Sequence, residues 1–179
     1  MKVLAFAASN SKQSINKALV QYAASTIDFA DVEFLDINDF EMPLFSPERE
    51  AEYKAKGGEP AEAKAFHQKI SEADALLISF AEHNGCYTAA FKNLFDWTSR
   101  IDMKVYQNKP MVMLATSPGP GGAKNVLNLA VTSSPYFGGD VKGSLSVPSF
   151  MEQFDTEAGK LTNEALVTEL SAVVQSLQS

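Results

Sequence analysis

Five short apolar runs alternate along this chain with segments of helical period, and that alternation limits the fold more than any other feature. The runs are "KVLAFAA", "DVEFLDI", "DALLISFA", "KPMVMLAT" and a stretch within "FGGDVKGSLSVPSF". The first is apolar on both sides, so it reads as a buried strand. Between the runs, Ala18, Leu19, Tyr22 and Ala23 keep a helical spacing. So do the segments from about Ala61 to Glu72, from Thr88 to Ile101 with Phe91, Leu94, Phe95 and Thr98 on one side, and near Val126 to Ser133. "TNEALVTELSAVVQSLQ" predicts a last amphipathic helix capped by Thr162 or Asn163. Strands that alternate with helices pair in parallel, because each return crossing needs a crossover, and such crossovers are right-handed. The expectation is one doubly wound α/β domain over residues 1–179, a five-stranded parallel sheet between two helical layers. The stretch from about 38 to 60, with Pro43, Pro47, Gly57, Gly58 and Pro60, reads as a long mobile connection.

Charge and cysteine content remove several function classes. Fifteen Lys and Arg against 22 Asp and Glu leave a net charge of -7. That balance argues against a nucleic-acid footprint or an anionic membrane surface. Any anionic ligand must therefore be held locally. The one cysteine, Cys86, has no intrachain disulfide partner. No apolar stretch approaches the roughly 18 to 20 residues of a membrane span. The opening run resembles a signal peptide after Lys2, but Ser9, Asn10 and Lys12 interrupt it too early. A cytoplasmic protein is expected.

In doubly wound sheets, ligands bind beyond the carboxyl ends of the strands, where strand order reverses. Three loops follow strands here: Ser9 to Asn16, Glu82 to Tyr87 and Ser117 to Gly122. The first offers hydroxyls at Ser9, Ser11 and Ser14 and an amide at Asn16 where a helix begins, a setting that favours an anion. It lacks the G-x-G-x-x-G fingerprint of a dinucleotide, so a phosphate monoester fits better. A polar helix cap accounts for the same residues. The third loop has Gly119, Gly121 and Gly122, which let backbone approach a flat ligand. It fails as a nucleotide-hydrolysing phosphate loop, since Ala123 and Asn125 stand where Gly and Ser or Thr are required. A plain turn is the alternative.

The middle corner, "EHNGCY", admits four readings: a nucleophile, a metal site, a ligand platform or a polar loop. Cys86 beside His83 lacks an identifiable orienting group or oxyanion site. One Cys, one Glu and one His make no metal-binding spacing, and His67 reads as a surface residue. A platform, with Tyr87 as an aromatic wall, suits the glycine loop best.

Taken together, the three loops resemble the NADPH-dependent FMN reductase family of flavodoxin-like proteins, which includes quinone, azo-compound and chromate reductases. Ser9, Ser14 and Asn16 match its opening motif G-S-x-R-x-x-S-x-N, with Ala8 and Ser11 in place of Gly and Arg. Glu82, Asn84, Gly85, Lys92, Asn93, Asp96 and Trp97 match a second motif, P-E-Y-N-G-S-x-P-G-x-L-K-N-A-x-D-W, from which Ala81, His83, Cys86 and Thr88 depart. Ser117, Pro118, Gly119, Gly121 and Gly122 match a third, S-P-G-G-x-G-G.

The resemblance implies strand order 2-1-3-4-5 and an FMN whose phosphate sits on the loop of Ser9, Ser11, Ser14, Ile15 and Asn16. The flavin ring is expected against Glu82, His83, Asn84, Gly85 and Tyr87 on one side and Ser117, Pro118, Gly119 and Gly122 on the other. It further implies NADPH or NADH as hydride donor, a small acceptor such as free flavin or a quinone, and a homodimer, with a tetramer as the larger alternative. Phe91 and Trp97 are then candidates for the subunit contact. The cofactor carries such a reaction, so no catalytic side chain and no metal ligand is assigned. An FMN electron carrier without efficient NAD(P)H oxidation and a non-flavin binding module are the competing functions.

Overall fold

In the computed structural model, which describes residues 1–178, the apolar runs become strands β1 (Lys2–Ala8), β2 (Asp31–Leu35), β3 (Ala75–Phe80), β4 (Lys109–Thr116) and β5 (Gly139–Val147). They form one parallel sheet in the order β2-β1-β3-β4-β5, as the resemblance implies. Every residue of β3 is buried, which explains its apolar sequence, with Ser79 its one polar residue. β2 lies at an edge and leaves Phe34 half exposed.

Helices cover both faces. Leu4 and Phe6 of β1 and Leu76, Ile78 and Phe80 of β3 belong to a core with α3 (Ala61–Glu72), α4 (Ala89–Thr98) and α5 (Lys124–Ser133). Val3 and Ala5 point to the opposite core, formed with α1 (Ile15–Ser25) and α7 (Glu164–Gln175). The period-2 alternation of a strand thus divides one apolar run between two cores. Thr88 caps α4 and Asn163, not Thr162, caps α7.

Three sequence expectations are corrected. The 38–60 connection holds a short 3-10 turn (Ile37–Phe40) and a helix, α2 (Pro47–Ala55), which Ser46 caps. Phe45 and Tyr53 each set a ring 5.2 Å from Trp97, so this segment packs on α4 as a strap. Phe91 and Trp97 are core residues, 1% and 0% exposed, because the strap and the sheet enclose them. His67 is half-buried, and its Nε2 is buried with no hydrogen-bond partner. After β5 come two elements that periodicity does not reveal, α6 (Phe150–Gln153) and a hairpin of β6 (Phe154–Asp155) with β7 (Lys160–Leu161).

Candidate functional site

The carboxyl ends of β1, β3 and β4 are adjacent, so the three informative loops converge along one edge of the sheet. Side-chain bonds between strand ends hold them there. Thr88 Oγ1 donates to the Ala8 carbonyl at 3.1 Å, tying the start of α4 to the end of β1. Asn16 joins the helix after β1 to two further strands. Its Nδ2 donates to the Thr116 carbonyl at 3.1 Å, and its Oδ1 accepts from Thr116 N–H at 3.0 Å and Ser79 Oγ at 2.8 Å. The Asn16 amide therefore faces inward as a staple, not outward toward an anion.

Around the first loop, Ser9 Oγ accepts from Ser11 N–H at 3.2 Å, Ser11 Oγ from Gln13 N–H at 3.3 Å, and Ser14 Oγ from Lys17 N–H at 3.2 Å. In these bonds the three hydroxyls only accept, so each keeps its proton for a further acceptor. The N–H groups of Ile15 and Asn16, the first two of α1, have no backbone acceptor. They are the donors that a helix start always leaves over, and the helix dipole adds positive potential there. Hydroxyl and amide donors thus gather on one short loop without an acidic side chain in it.

At the middle corner, His83 and Cys86 exchange backbone hydrogen bonds of 3.0 and 3.1 Å. Asn84 (φ 53°) and Gly85 (φ 78°) are both left-handed between them, which is the type I′ hairpin turn that Asn-Gly favours. No atom lies within 4 Å of where a Gly85 side chain would start. The turn accordingly projects as a thin, open backbone edge. Glu82 turns the other way, its Oε2 accepting from Val126 N–H at 2.9 Å and capping α5. Tyr87 packs against Phe80 and Phe91 at ring separations of 5.7 and 5.3 Å, and its hydroxyl lies 3.4 Å from Ser133 Oγ. Burial raises the Tyr87 pKa, so the phenol stays neutral. Only part of it is available as a wall.

The third loop is fastened to the end of β5. Ser149 N–H donates to the Gly119 carbonyl, Phe150 N–H to that of Ser117, and Ser146 Oγ to that of Gly122. Gly122, at φ +59°, has no room for a side chain, since a Cβ would come within 2.4 Å of Ser146 Oγ. Gly119 and Gly121 face open space. Gly122 thus shapes the loop while Gly119 and Gly121 leave its surface low. Pro118 is exposed, and the hydroxyl of Ser117 is directed to the Gly119 carbonyl at 3.2 Å.

Sequence reasoning missed Ser79, Thr88 and Thr116 as organisers of the site. Thr88 carried a readable signal, a Thr just ahead of an apolar helical period. Ser79 and Thr116 sit inside strands and carried none. No group of three or more His, Cys, Asp or Glu able to hold a metal occurs among the described residues.

A parallel sheet in this order, with an anion-ready helix start and two low loops at its carboxyl edge, defines a flavodoxin-like mononucleotide-binding protein. Residues 1–151 match the family described as NADPH-dependent FMN reductase, and the chain belongs to that family. An Arabidopsis thaliana NADPH:quinone oxidoreductase is 30% identical over 186 residues, covering 100% of this chain and 91% of that protein. A Burkholderia 2-hydroxy-1,4-benzoquinone reductase is 34% identical over 125 residues, 68% of this chain and 63% of its own length. In fold, the chain resembles FerB, an NAD(P)H:(acceptor) oxidoreductase from Paracoccus denitrificans, at a TM-score of 0.80 and 22% identity, covering 98% and 94% of the two chains. The donor set fits FMN: free hydroxyl protons and amides for a monophosphate, and open glycine backbone for a planar ring.

Proposed function

We propose that this chain is an NAD(P)H-dependent oxidoreductase that uses FMN to reduce a small acceptor such as a quinone or free flavin. The observation that carries the reading is the convergence of unused donors at Ser9, Ser11, Ser14, Ile15 and Asn16 beside the open Asn84–Gly85 turn and the low Gly119–Gly121 backbone. The site suits one phosphate and one flat ring, and its first loop, without the G-x-G-x-x-G fingerprint, suits FMN better than a dinucleotide.

When bound, the flavin supplies the hydride and electron chemistry, and the protein supplies binding and orientation. Over one turnover a quinone gains two electrons and two protons, a hydride equivalent from NAD(P)H and one proton from water. Ser9, Ser11 and Ser14 would donate to the phosphate, joined by the N–H groups of Ile15 and Asn16. The backbone of His83, Asn84 and Gly85 and that of Ser117, Pro118 and Gly119 would meet the ring. No side chain here is assigned a proton-transfer role, and neither His83 nor Cys86 has a hydrogen-bonded side-chain partner that would activate it.

We further propose a homodimer joined through the face between α4 and α5. There a groove of about 410 Å³ runs beside Cys86 and Tyr87, with Met103 and Leu129 exposed along it. A contact on that face would close over the middle corner. We propose that it works in the cytoplasm, where NAD(P)H is available. No helix among the described residues is long and apolar enough to cross a membrane.

Fluorescence titration with FMN and FAD, followed by NAD(P)H oxidation with a quinone, tests the assignment. FMN should bind more tightly than FAD and support turnover. Tighter FAD binding, or binding of neither, would refute the cofactor reading. FMN binding with negligible NAD(P)H oxidation would make the chain an electron carrier. Sedimentation of the FMN-loaded protein tests the dimer, and a monomer at micromolar concentration would remove it.

A further inference from the structure

The strap between β2 and α3 is hung on two residues of α4. Asn93 Oδ1 accepts from Phe45 N–H at 2.8 Å, and its Nδ2 donates to the carbonyls of Met42 and Pro43 at 3.1 and 3.2 Å. Trp97 Nε1 donates to the same Pro43 carbonyl at 2.7 Å. The Arg100 guanidinium lies over the Phe45 ring, 5.6 Å from its centre. One side-chain amide thus reads both directions of the strap backbone, a placement more specific than apolar contact alone would give.

Between the strap and the start of α4 lies a cavity of about 250 Å³. Asn10 of the phosphate-side loop lines it on one side, Ala89 and Ala90 on another, and Met42 and Leu44 on the strap side. Thr88, just before Ala89, is the residue tied to the end of β1, so the cavity adjoins two of the three loops of the site. Leu44 is 67% exposed, although Met42, two residues earlier, is buried. No Lys or Arg lines the cavity, and the one ionisable group in its wall is the carboxylate of Glu41.

We propose that the strap segment 41–45 is the wall against which the electron acceptor rests, with Leu44 as its contact and Asn93 and Trp97 as positioning residues. The ligand class is a neutral, planar quinone of one or two rings. Ligand pockets generally run upward from about 300 Å³, so this cavity suits a small acceptor. An apolar Leu44 favours a neutral ring edge. The Glu41 carboxylate, in a wall that holds no Lys or Arg, disfavours an anionic acceptor such as a sulfonated quinone. The inference rests on the FMN-reductase reading of the same site.

The test uses the FMN-loaded protein and steady-state kinetics with a neutral naphthoquinone and its sulfonate. Leu44→Ala should raise the KM of the neutral quinone at least fivefold while the FMN dissociation constant stays within twofold of wild type. Leu44→Lys should move the KM ratio of neutral to sulfonated quinone at least tenfold toward the sulfonate. Asn93→Ala should speed tryptic cleavage after Arg49 and Lys54 and raise the same KM. Tyr136→Ala, an 81% exposed site outside the cavity lining, is the control. Quinone KM values within twofold of wild type in both Leu44 variants would overturn the proposal. So would an Asn93→Ala protein whose strap is cut faster but whose KM is unchanged. Because Leu44 is exposed, its variants keep the test open if Asn93→Ala fails to fold. Failure of FMN to bind wild type would instead refute the cofactor reading.

Discussion

Replacing Asn16 with Ala tests whether its side chain is a staple of the sheet or a ligand to phosphate. The residue is 2% exposed, and its amide serves Thr116 N–H, the Thr116 carbonyl and Ser79 Oγ. Truncation strands two donors, the Thr116 N–H and the Ser79 hydroxyl, at 1% and 0% exposure. A buried donor left unsatisfied costs about 1–3 kcal/mol, so the pair costs roughly 2–6 kcal/mol. The Thr116 carbonyl adds less, since a carbonyl has a second lone pair. Against a typical stability of about 5–15 kcal/mol, the loss is large but survivable. With a urea m-value of about 2 kcal/mol/M, the midpoint should fall by roughly 1–3 M with m unchanged. Equilibrium unfolding of the FMN-free protein, followed by Trp97 fluorescence, measures it. The double variant Asn16→Ala/Ser79→Ala sharpens the test, because removing the second partner removes one stranded donor. The two changes should then be non-additive by about 0.5–3 kcal/mol, the range found for residues in direct contact. A midpoint within about 0.3 M of wild type, or strict additivity, would refute the staple. Unchanged stability with a large loss of FMN affinity would return the Asn16 side chain to the phosphate.

Three further outcomes follow from the same geometry. Ser11→Arg should tighten FMN several-fold at low salt and less at high salt, because position 11 is exposed on the phosphate-side loop and an exposed charge pair contributes about 0–1 kcal/mol; equal affinities in titrations at both salts would show that the side chain points elsewhere. Gly122→Ala should destabilise the protein by about 1–3 kcal/mol or more, since the new methyl meets Ser146 Oγ and the backbone of Pro148; Ser146→Ala should relieve part of that loss in urea unfolding, and no relief would place the strain in the backbone alone. Hydrogen bonds from Lys2 and then Lys69 hold the Glu33 carboxyl below its usual value of 4.5, so its stabilisation is complete above that pH and is lost as pH falls toward the lowered value; the stability gap between wild type and Glu33→Gln should narrow below about pH 4.5, and a gap constant from pH 7 to 3 would contradict it.

The parts of the fold that were legible are those where one residue property fixes the answer. β1, β3 and β4 are apolar on both sides because both faces are covered, and such runs are readable without a partner. α2 was not, although Ser46 and Pro47 mark a helix start, because none of its residues is buried and its sequence has no apolar stripe. What holds it is tertiary: Tyr53 meets a tryptophan that lies 44 positions on in sequence. The same limit applies within the site. Asn93 and Trp97 could be matched to a motif, but their partners on the strap are about 50 residues away. Lys92, Asp96 and Arg100 show i, i+4 spacing, and Lys92 does bridge Asp96 at 2.7 Å, yet Arg100 turns to Phe45 and Ser99 instead. Spacing along a helix states which pairs can meet, whereas the strap decides which one does.

The bonds at the sheet's edge also bear on how a chain of net charge -7 would hold a phosphate on the proposed loop. The proposed donors are neutral hydroxyls and amides, so no cluster of like charges has to be held together before the ligand arrives. Such donors are effective only if their directions are set in advance, since orienting them during binding would cost ordering entropy. The structure holds this loop and its neighbours through bonds to other elements. Asn16 fixes α1 to β3 and β4, Thr88 fixes α4 to β1, and Thr116 Oγ1 donates to the Val147 carbonyl at 2.7 Å, joining β4 to β5. Glu82 ties the middle corner to the start of α5, and Ser146 ties the third loop to β5. Each loop is thereby anchored to an element other than the two it connects. A substitution among these anchors should consequently disturb more than one loop, whereas a change at exposed Ser11 or Pro118 should be felt only where it occurs.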